Sequence, residues 1–583
     1  MLQAAAGGGA VTYSARASFE PNPAGAPLAS QYLARRGSAG WSSENLTVPI
    51  FSGTYDLTDE GVPYQVFSTD LARAFVLNGD HCRGEAEGCA VANPPLAGTD
   101  APAGYQNYYL REAGAFEAVL GGADIAGRGL DPATFDLRLS GTATDLTTTV
   151  FASCSALAAG ATDGCGEGKA NLYKWAPGGG LTLLNGAPGA ALAASAGAIS
   201  SDGSRIYWLD QGSGNLFLRD GNVTKQVDAD AGGGGAFEAA SLDGSIAYYS
   251  KAGTLWRYQA ASDASSAIAP GVVGVLGSSS SGDRVYFQDA AGLQYWSAGS
   301  IHQVAPGAAA ADPSTYPAAT GRARVSGDGS KLLFVSKQEL TGYLNTDKIT
   351  GLPDSEVFLY DAGAGTLRCV SCNPSGKRPI GPSTIPGAIA NGSAPGSVQA
   401  YKPRALSANG RRAFFDSADA LVASDANALP TGPGVADVYQ WEAQGEGDCA
   451  RAGGCVGILS NGGLPAGASF ADASADGGDV YLLTEASLVP SDPGSMDLYD
   501  VRIGGGFAEP KAAISCTGDA CQILPSVPTD PTVTTLLAGA GNPPVTYLKY
   551  CRKGYVKRKG ICVKRGGKHH RRHRHHRRRR SGR

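Results

Sequence analysis

Carboxylate and amide side chains gather in the loops that precede several aromatic-rich segments. Asp425 and Asn427 lead to Asp437, which opens the segment DVYQWE, and residues 345–356 and 491–499 repeat the same residue types. Calcium takes six to eight oxygen ligands, so Asp425, Asn427 and Asp437 are candidate Ca²⁺ ligands. The spacing is not that of an EF-hand loop, and the alternative role is Asx turns and solvated acids. No other cofactor is expected.

The twelve cysteines fall into six pairs that are close in sequence. The pairs are Cys82/Cys89, Cys154/Cys165, Cys369/Cys372, Cys449/Cys455, Cys516/Cys521 and Cys551/Cys562. An even number in local pairs predicts six disulfide-closed loops and an oxidising compartment, with free thiols as the alternative. Cys369 and Cys372 also have metal-site spacing but lack a second pair, and a thioredoxin-type redox motif would need a βαβ context that is missing here.

Motifs of common enzyme classes are missing from the chain. The sequence contains no G-x-S-x-G, no H-E-x-x-H and no G-x-x-x-x-G-K-[ST]. Outside the C-terminal tail, His81 and His302 are the only histidines. We interpret both as loop or surface residues, and we expect a binding protein rather than an enzyme.

The C-terminal tail has the strongest charge signal. Residues 549–583 hold 17 of the 48 lysines and arginines and no acid, which leaves 31 basic against 52 acidic residues in 1–548. Such a segment binds polyanions by releasing counterions. The predicted polyanion-binding residues are Arg571, Arg572, Arg574, Arg577, Arg578, Arg579 and Arg580. The alternatives are a solubilising end and weak metal uptake by the histidines of 569–576.

Two repeated phrases indicate the elements that carry these residues. The first is a hairpin turn such as ISSDGSRIYW at 199–208, with five further copies starting at 240, 278, 325, 406 and 473. Asp-Gly accepts the positive φ of tight turns, so its aspartates are expected to serve the turn. The second is a short aromatic strand, found nine times, at 30–36, 107–113, 171–177, 215–221, 254–260, 293–299, 356–362, 437–443 and 497–503.

Together the two phrases predict units of four antiparallel strands, which is the number of strands in a propeller blade. Glycine makes up 83 of 583 residues and charged residues only 17%, which suits short strands and tight turns. We predict an all-β propeller of about eight blades, within a range of seven to nine, over 1–515. Alternatives are a terminal blade closed by strands from both chain ends, or two smaller propellers. Residues 516–548 are predicted to be a Pro/Thr/Gly-rich linker, and 549–583 a disordered basic tail.

The S-x-D-G hairpins and D-V-Y strands resemble the WD-like or TolB-like propeller repeat of bacterial periplasmic and secreted proteins. The phrase from Cys551 to Val563 also resembles basic tails of secreted propeller proteins from high-GC Gram-positive bacteria. The TolB-like resemblance implies protein partners.

We therefore expect an extracellular or cell-surface monomer without a transmembrane segment, although the first residues lack signal-peptide features. Its propeller face would hold a protein or glycan, and its tail an anionic cell-wall polymer or another polyanion. The alternative is a secreted lyase or glycosidase that uses paired carboxylates in the propeller funnel.

Overall fold

The computed structural model describes most of the chain. The described residues are 3–15, 30–48, 63–78, 94–132, 135–164, 170–186, 189–192, 197–389, 401–427, 434–463, 466–490, 492, 494–507, 553, 555–559 and 561–564. The chain divides into two compact units, Met1–Phe507 and Ala508–Arg583.

The first unit is a propeller of nine antiparallel sheets, or blades, which follow one another along the chain. In each blade the strands pair in sequence order, so neighbours in sequence are neighbours in the sheet. Blade 1 contains β1 (Gln3–Ala4), β2 (Ala10–Ala15), β3 (Ser30–Arg36) and β4 (Trp41–Asn45). Blade 2 contains β5 (Tyr64–Phe67), β6 (Arg73–Asn78), β7 (Asn107–Glu112) and β8 (Ala115–Ala118). Blade 3 contains β9 (Leu137–Thr142), β10 (Thr149–Ser153), β11 (Asn171–Ala176) and β12 (Gly180–Leu183).

Blades 4 to 6 are the most regular part of the chain. Blade 4 contains β13 (Ala190–Leu192), β14 (Arg205–Asp210), β15 (Leu216–Asp220) and β16 (Val223–Gln226). Blade 5 contains β17 (Ala236–Ala240), β18 (Ile246–Lys251), β19 (Thr254–Gln259) and β20 (Ala264–Ala269). Blade 6 contains β21 (Gly274–Ser278), β22 (Arg284–Gln288), β23 (Gly292–Ser297) and β24 (Ser300–Pro306).

Blades 7 to 9 carry long connections between their second and third strands. Blade 7 contains β25 (Arg324–Val325), β26 (Lys331–Ser336), β27 (Glu356–Asp361) and β28 (Thr366–Cys369). Blade 8 contains β29 (Ser383–Thr384), β30 (Arg412–Ser417), β31 (Asp437–Glu442) and β32 (Cys455–Ile458). The described part of blade 9 contains β33 (Ala468–Ala473), β34 (Asp479–Thr484) and β35 (Asp497–Arg502).

The hairpin turn between the first two strands is built by hydrogen bonds within the repeated phrase. In blade 4 the Ser200 hydroxyl donates to Asp202 Oδ1 at 2.6 Å and accepts the Arg205 N–H at 3.0 Å. Gly203 completes the turn at φ 67°, in the left-handed region that glycine adopts without strain. The polar residues of the repeat therefore close the turn.

The same turns also link the blades into a ring. At seven of the nine junctions between blades, the second residue of one hairpin turn donates its backbone N–H to the backbone carbonyl of the second residue of the next blade's turn. These bonds join Ser201 to Leu242, Leu242 to Ser280, Ser280 to Gly327, Ala408 to Ala475, Ala475 to Ala6, Ala6 to Thr69 and Thr69 to Thr144, at 2.7–3.2 Å. First strands also contact first strands, as in β17 with β21 and β1 with β33, so they form the inner side of the ring.

Ring closure occurs where blade 9 meets blade 1. The Ala4 N–H donates to Asp472 Oδ2 at 2.8 Å, and the Tyr481 hydroxyl donates to the Gly8 carbonyl. Tyr207 makes the equivalent bond to Gly244 between blades 4 and 5, at 2.7 Å. The closing junction thus uses the same contacts as the internal junctions, together with a small buried cluster of apolar side chains shared by blades 9 and 1.

Helix is scarce among the described residues. They contain one short helix, α1 (Gly122–Ile125), and two 3₁₀ turns, Ala229–Ala231 and Pro313–Thr315. None of these helices has the length and apolarity needed to cross a bilayer. In the second unit, β36 (Tyr555–Arg558) and β37 (Ile561–Lys564) pair as an antiparallel hairpin. This hairpin is the described part of the tail that was expected to be disordered.

The all-β propeller prediction is confirmed, and the nine blades fall within the predicted range of seven to nine. All nine aromatic phrases are third strands. Three further hairpin turns do not carry the repeated phrase: Ala5–Gly8, Ser68–Leu71 and Ala143–Leu146. In the last two, a buried leucine replaces glycine at positive φ, 59° at Leu71 and 61° at Leu146, so the Asp-Gly signal is missing.

Candidate functional site

The long connections between second and third strands all leave the blades at the end opposite the hairpin turns, here called the insertion end. They join β6 to β7, β26 to β27, β30 to β31 and β34 to β35. Antiparallel order places these connections on one side of the ring, because each second strand runs from its hairpin turn to the opposite end. The insertion end is therefore the part of the propeller where sequence differs most between blades.

A second repeated contact fixes the start of each third strand at this end. A polar residue just after the fourth strand accepts the N–H of the second residue of the third strand. The pairs are Leu172 with Asn185, Leu216 with Asp228, Val357 with Ser371 and Val438 with Ser460, at 2.7–3.0 Å. In blades 7 and 8 the serine also donates to a buried carboxylate, Glu356 or Asp437. The buried carboxylates Glu356 and Asp437 are thus each hydrogen-bonded to a serine of their own blade.

The predicted calcium ligands come together in one network in blade 8. The Asn427 amide donates to Asp437 Oδ2 at 2.8 Å, and Ser460 donates to Asp437 Oδ1 at 2.6 Å. Asp425 Oδ2 accepts from the Tyr439 hydroxyl, while its other carboxylate oxygen is buried without a hydrogen-bond partner. Protein donors therefore bond to both Asp437 oxygens. Ca²⁺ binding by Asp425, Asn427 and Asp437 stays a prediction.

Carboxyl groups in blades 7 and 8 have raised pKa values because the fold buries them near one another. Burial raises the pKa of Glu356 to about 8, and nearby Asp419 and Asp354 add to the effect. Burial and the adjacent Asp347 raise the pKa of Asp354 to about 7. Burial also raises the pKa of Asp425, although the Tyr439 hydroxyl opposes it. The pKa values of Asp419 and of Asp416, near the end of β30, are raised by burial as well.

The described residues contain two complete disulfides, one at the insertion end of blade 7 and one in the connection between β31 and β32 of blade 8. Cys369 is joined to Cys372 and Cys449 to Cys455, the local partners that the sequence indicates. Cys154 is also disulfide-bonded. Because Cys369 and Cys372 are oxidised, they offer no thiolate to a metal. Cys82, Cys89, Cys165, Cys516, Cys521 and Cys551 lie outside the described residues, as does the side chain of Cys562.

In the insertion of blade 7, residues 337–355, a charged side chain is buried while aliphatic side chains are exposed, an arrangement here called inverted polarity. Of the insertion's three acids, Asp347 is only 2% exposed and Glu339 is exposed, whereas Leu344, Ile349 and Leu352 are 49%, 45% and 67% exposed. Asp347 turns inward to accept the backbone N–H groups of Ile349 and Thr350, and these bonds hold its pKa below the usual range although burial opposes them. The loop consequently presents aliphatic side chains to solvent.

The inner side of the ring at blades 7 to 9 is basic. Arg324 lies on the first strand of blade 7, and Lys402 and Arg404 lie two residues apart in the inner segment of blade 8. Arg404 donates to Asp472 at 3.0 Å, whereas Lys402 donates to the Ala318 carbonyl at 2.7 Å. Burial and the charge of Arg324 hold the pKa of Lys402 well below its usual value. Paired carboxylates, which a glycosidase would need, are not found in this described cluster.

Other predicted residues have structural environments. His302 lies on the outer strand β24 and stacks on Tyr295 with ring centroids 4.7 Å apart. The turn aspartates Asp202 and Asp476 serve their hairpins through serine hydroxyls. His81, the linker 516–548 and Arg571, Arg572, Arg574, Arg577, Arg578, Arg579 and Arg580 lie outside the described residues.

Several residues of the insertion end were not singled out by sequence reasoning. Ser371, Ser460 and Tyr439 hold the buried acids, and Leu344 and Leu352 form the exposed patch. A signal for the serines exists: an apolar residue followed by Ser, Asn or Asp recurs after the fourth strand, as in Leu184-Asn185 and Val370-Ser371. Aligning the blades on this pair of residues after the fourth strand identifies the serines.

No family model and no curated protein matches the chain. Among solved structures, the tricorn protease aligns at 11% identity over 85% of this chain and 44% of its own, with a TM-score of 0.25. An oligogalacturonate lyase in complex with manganese aligns at 13% identity over 61% of this chain and 86% of its own, with a TM-score of 0.29. A putative TolB from Agrobacterium tumefaciens aligns at 16% identity over 45% and 83%, with a TM-score of 0.23. The assignment of the fold rests on the strand pairing.

Proposed function

We propose that the chain is a binding propeller of the cell exterior, which holds a protein partner at the insertion of blade 7 and associates with anionic cell-surface polymers through its tail. The observation that carries the proposal is the inverted polarity of residues 337–355. A loop that buries Asp347 and exposes Leu344, Ile349 and Leu352 keeps apolar area in water unless another surface covers it.

The patch is ordered by a second segment that packs beside it. The Lys348 N–H donates to the Pro379 carbonyl at 2.8 Å, and the Tyr343 hydroxyl donates to the Lys377 carbonyl at 2.7 Å. The Arg378 guanidinium donates to the Thr346 carbonyl at 2.7 Å. A preordered surface loses little conformational entropy on binding, which favours affinity.

Charge around the patch selects a class of partner. Lys348, Lys377 and Arg378 are exposed next to the three aliphatic side chains, although residues 1–548 carry an excess of acids. An apolar centre with a basic rim fits a protein segment that presents apolar and acidic side chains. A neutral glycan would make little use of this rim, so we propose a protein rather than a glycan as the partner.

The tail supplies the second part of the proposal. Its 17 positive charges in 35 residues favour anionic polymers such as those of a cell wall, and the local cysteine pairs favour an oxidising location. We expect truncation before Pro544 to abolish retention on a heparin-like matrix at about 50 mM salt, where screening is weak. Equal retention of the truncated and full-length chains would remove the tail from the proposal.

Site-specific photo-crosslinking tests the protein partner. A crosslinking residue placed at Leu352 of the full chain should capture one extracellular protein, which is then identified, purified and titrated. Leu352→Asp with Ile349→Asp should weaken its binding about tenfold or more, since central apolar contacts dominate interface energies.

Val223 provides the matched control, because it is 57% exposed on the outer strand of blade 4. A crosslinker at Val223 should not capture the protein, and Val223→Asp should leave its affinity unchanged. Capture at both positions, undiminished affinity of the Leu352/Ile349 variant, or binding of glycans alone would overturn the proposal.

A further inference from the structure

A buried carboxyl group lies against the disulfide of blade 7. Glu356 is the first residue of β27 and is 1% exposed, while Cys369 ends β28 and Cys372 follows three residues later. One Glu356 carboxylate oxygen and both sulfur atoms lie within 4.8 Å of one another. Both cysteines are partly exposed, whereas Glu356 is buried.

The four-residue loop Cys369–Cys372 itself positions the carboxyl group. The hydroxyl of Ser371, between the two cysteines, donates to Glu356 Oε2 and accepts the Val357 N–H at 2.8 Å. The Cys372 N–H donates to Cys369 Sγ at 3.0 Å. An N–H directed at sulfur stabilises the thiolate form, so Cys369 can leave a mixed disulfide without a proton, whereas Cys372 lacks this bond and needs one.

Blade 8 shows which part of this arrangement belongs to the repeat. There Ser460 donates to Asp437 and accepts the Val438 N–H, as Ser371 does with Glu356 and Val357. Ile458 and Asn461 occupy the positions of the two cysteines. The serine–carboxylate contact is therefore a feature of the blade, and the cysteine pair is an addition that blade 7 makes beside it.

We propose that Cys369 and Cys372 form a thiol–disulfide exchange site in which Glu356 carries the proton. The reaction partner is a dithiol, either a small molecule or a pair of protein cysteines. A partner thiolate attacks Cys369 Sγ, the Cys369–Cys372 bond breaks, and Cys372 Sγ takes the electron pair and the proton of Glu356. The second partner thiolate then attacks its own sulfur in the mixed disulfide and expels the Cys369 thiolate. The partner leaves as a disulfide, and two electrons have passed to the chain.

The surroundings keep the proton on Glu356 at neutral pH. Burial, together with Asp419 and Asp354 on neighbouring connections, raises the pKa of this carboxyl group to about 8, although the bond from Ser371 opposes the shift. Tyr343, whose own pKa is raised, is the other titratable group that senses its charge. The protonated group is thus available when the disulfide opens and accepts a proton again when it re-forms.

The second disulfide of the chain is an internal reference. Cys449 and Cys455 lie in blade 8, and Cys455 begins β32. Among the described residues, the grouping of a carboxylate with two cysteine sulfurs occurs at Glu356 and not at this pair. Both disulfides experience the same solution, so the ratio of their reduction rates reports the effect of Glu356.

The experiment measures reduction of each disulfide in the full chain by dithiothreitol between pH 6 and 9. Samples are alkylated at intervals and mapped by mass spectrometry. Glu356→Gln should slow reduction of Cys369–Cys372 about tenfold and remove the fall in its rate constant per thiolate above pH 8, where general acid catalysis is lost. The Cys449–Cys455 rate should be unchanged. The reduced wild-type chain should re-form Cys369–Cys372 faster than Cys449–Cys455 when oxidised glutathione is added.

Glu238→Gln is the matched control, because Glu238 is a shielded acid that accepts from Ser250 at 2.7 Å in blade 5. It should alter neither rate. Ser371→Ala keeps the acid but removes its anchor, and it should also change the pH profile at Cys369–Cys372 if Glu356→Gln does not fold. An unchanged profile in the variant that folds, or equal slowing of both disulfides, would overturn the proposal.

Discussion

Acidic residues at the two ends of the blades have opposite pKa shifts. At the hairpin turns, bonds from Ser200 and Ser204 lower the pKa of Asp202 to about 2. At the insertion end, burial raises the pKa of Asp354 to about 7 and of Glu356 to about 8. Turn acids point toward solvent and accept several hydrogen bonds, whereas insertion acids are shielded and lie near other carboxylates. The balance of burial against hydrogen bonding, rather than residue type, therefore decides which acids are permanent charges and which can exchange protons. Asp347 lies at the insertion end and is buried, yet its pKa stays below the usual range because it accepts two backbone N–H groups.

The difference has a physical origin in the repeat. A turn acid closes its own hairpin within four residues, so its partners are local and come with the repeated phrase. An insertion acid depends on loops that differ between blades and on residues from the next strand. The turn end therefore supports the ring, and the insertion end can acquire chemistry without weakening it.

The largest expected effect is a change in the pH dependence of stability when Glu356 is replaced. Its pKa is raised in the folded state, so its contribution to stability is present at low pH and is lost as pH rises from about 4.5 through 8. Glu356→Gln should remove this loss and stabilise the chain at pH 9 relative to pH 5 by on the order of 3 kcal/mol against wild type. Denaturant unfolding at both pH values, with disulfides intact, checks it. Parallel pH dependence of the two proteins would contradict the assigned shift.

An opposite and smaller effect is expected at the hairpin turns. Asp202→Ala removes the acceptor of the Ser200 and Ser204 bonds and should destabilise the chain by about 1 kcal/mol at pH 7. The pKa of Asp202 is lowered, so this difference should persist above pH 4 and disappear as pH falls through 2. The exposed Glu339, which lies outside any hairpin turn, is the control and Glu339→Ala should be neutral. Destabilisation that grows toward low pH would rule out this role for the turn acid.

The smallest expected effect tests one hydroxyl at the insertion end, that of Tyr439, which donates to Asp425 and to the Asp419 carbonyl and accepts the Leu421 N–H. Tyr439→Phe removes the hydroxyl that donates to Asp425 and lowers its pKa. The pKa of Asp425 should therefore rise further, and stability at pH 7 should fall by roughly 0.5 kcal/mol. Titration of the Asp425 carboxyl carbon by NMR measures the shift directly. Tyr207→Phe, at the turn end, should leave the Asp425 titration unchanged, and a shift there would show that the two ends are coupled.

Much of the fold could be predicted because its signals are local. The nine aromatic phrases are the nine third strands, and four Asp-Gly turns, one Asn-Gly turn and one Ser-Gly turn identify six of the hairpins. Turns with Leu71 and Leu146 were missed because their leucines adopt positive φ only where the core buries them. Of the candidate site, the sequence located the loops that bring Asp425, Asn427 and Asp437 together, but not the donors from other strands that satisfy them.

The sequence alone determines the blade, because strand alternation, turn chemistry and cysteine spacing act over short distances along the chain. Tertiary structure decides which contacts form between residues that are far apart in the sequence. The closing of blade 9 on blade 1 through Asp472 and Ala4 joins residues 468 positions apart. The placement of Glu356 beside Cys369 and Cys372, and the exposure of Leu352, likewise depend on packing. Burial changes the pKa of a carboxyl group and the solvation of an aliphatic side chain, and burial exists only after the strands have assembled.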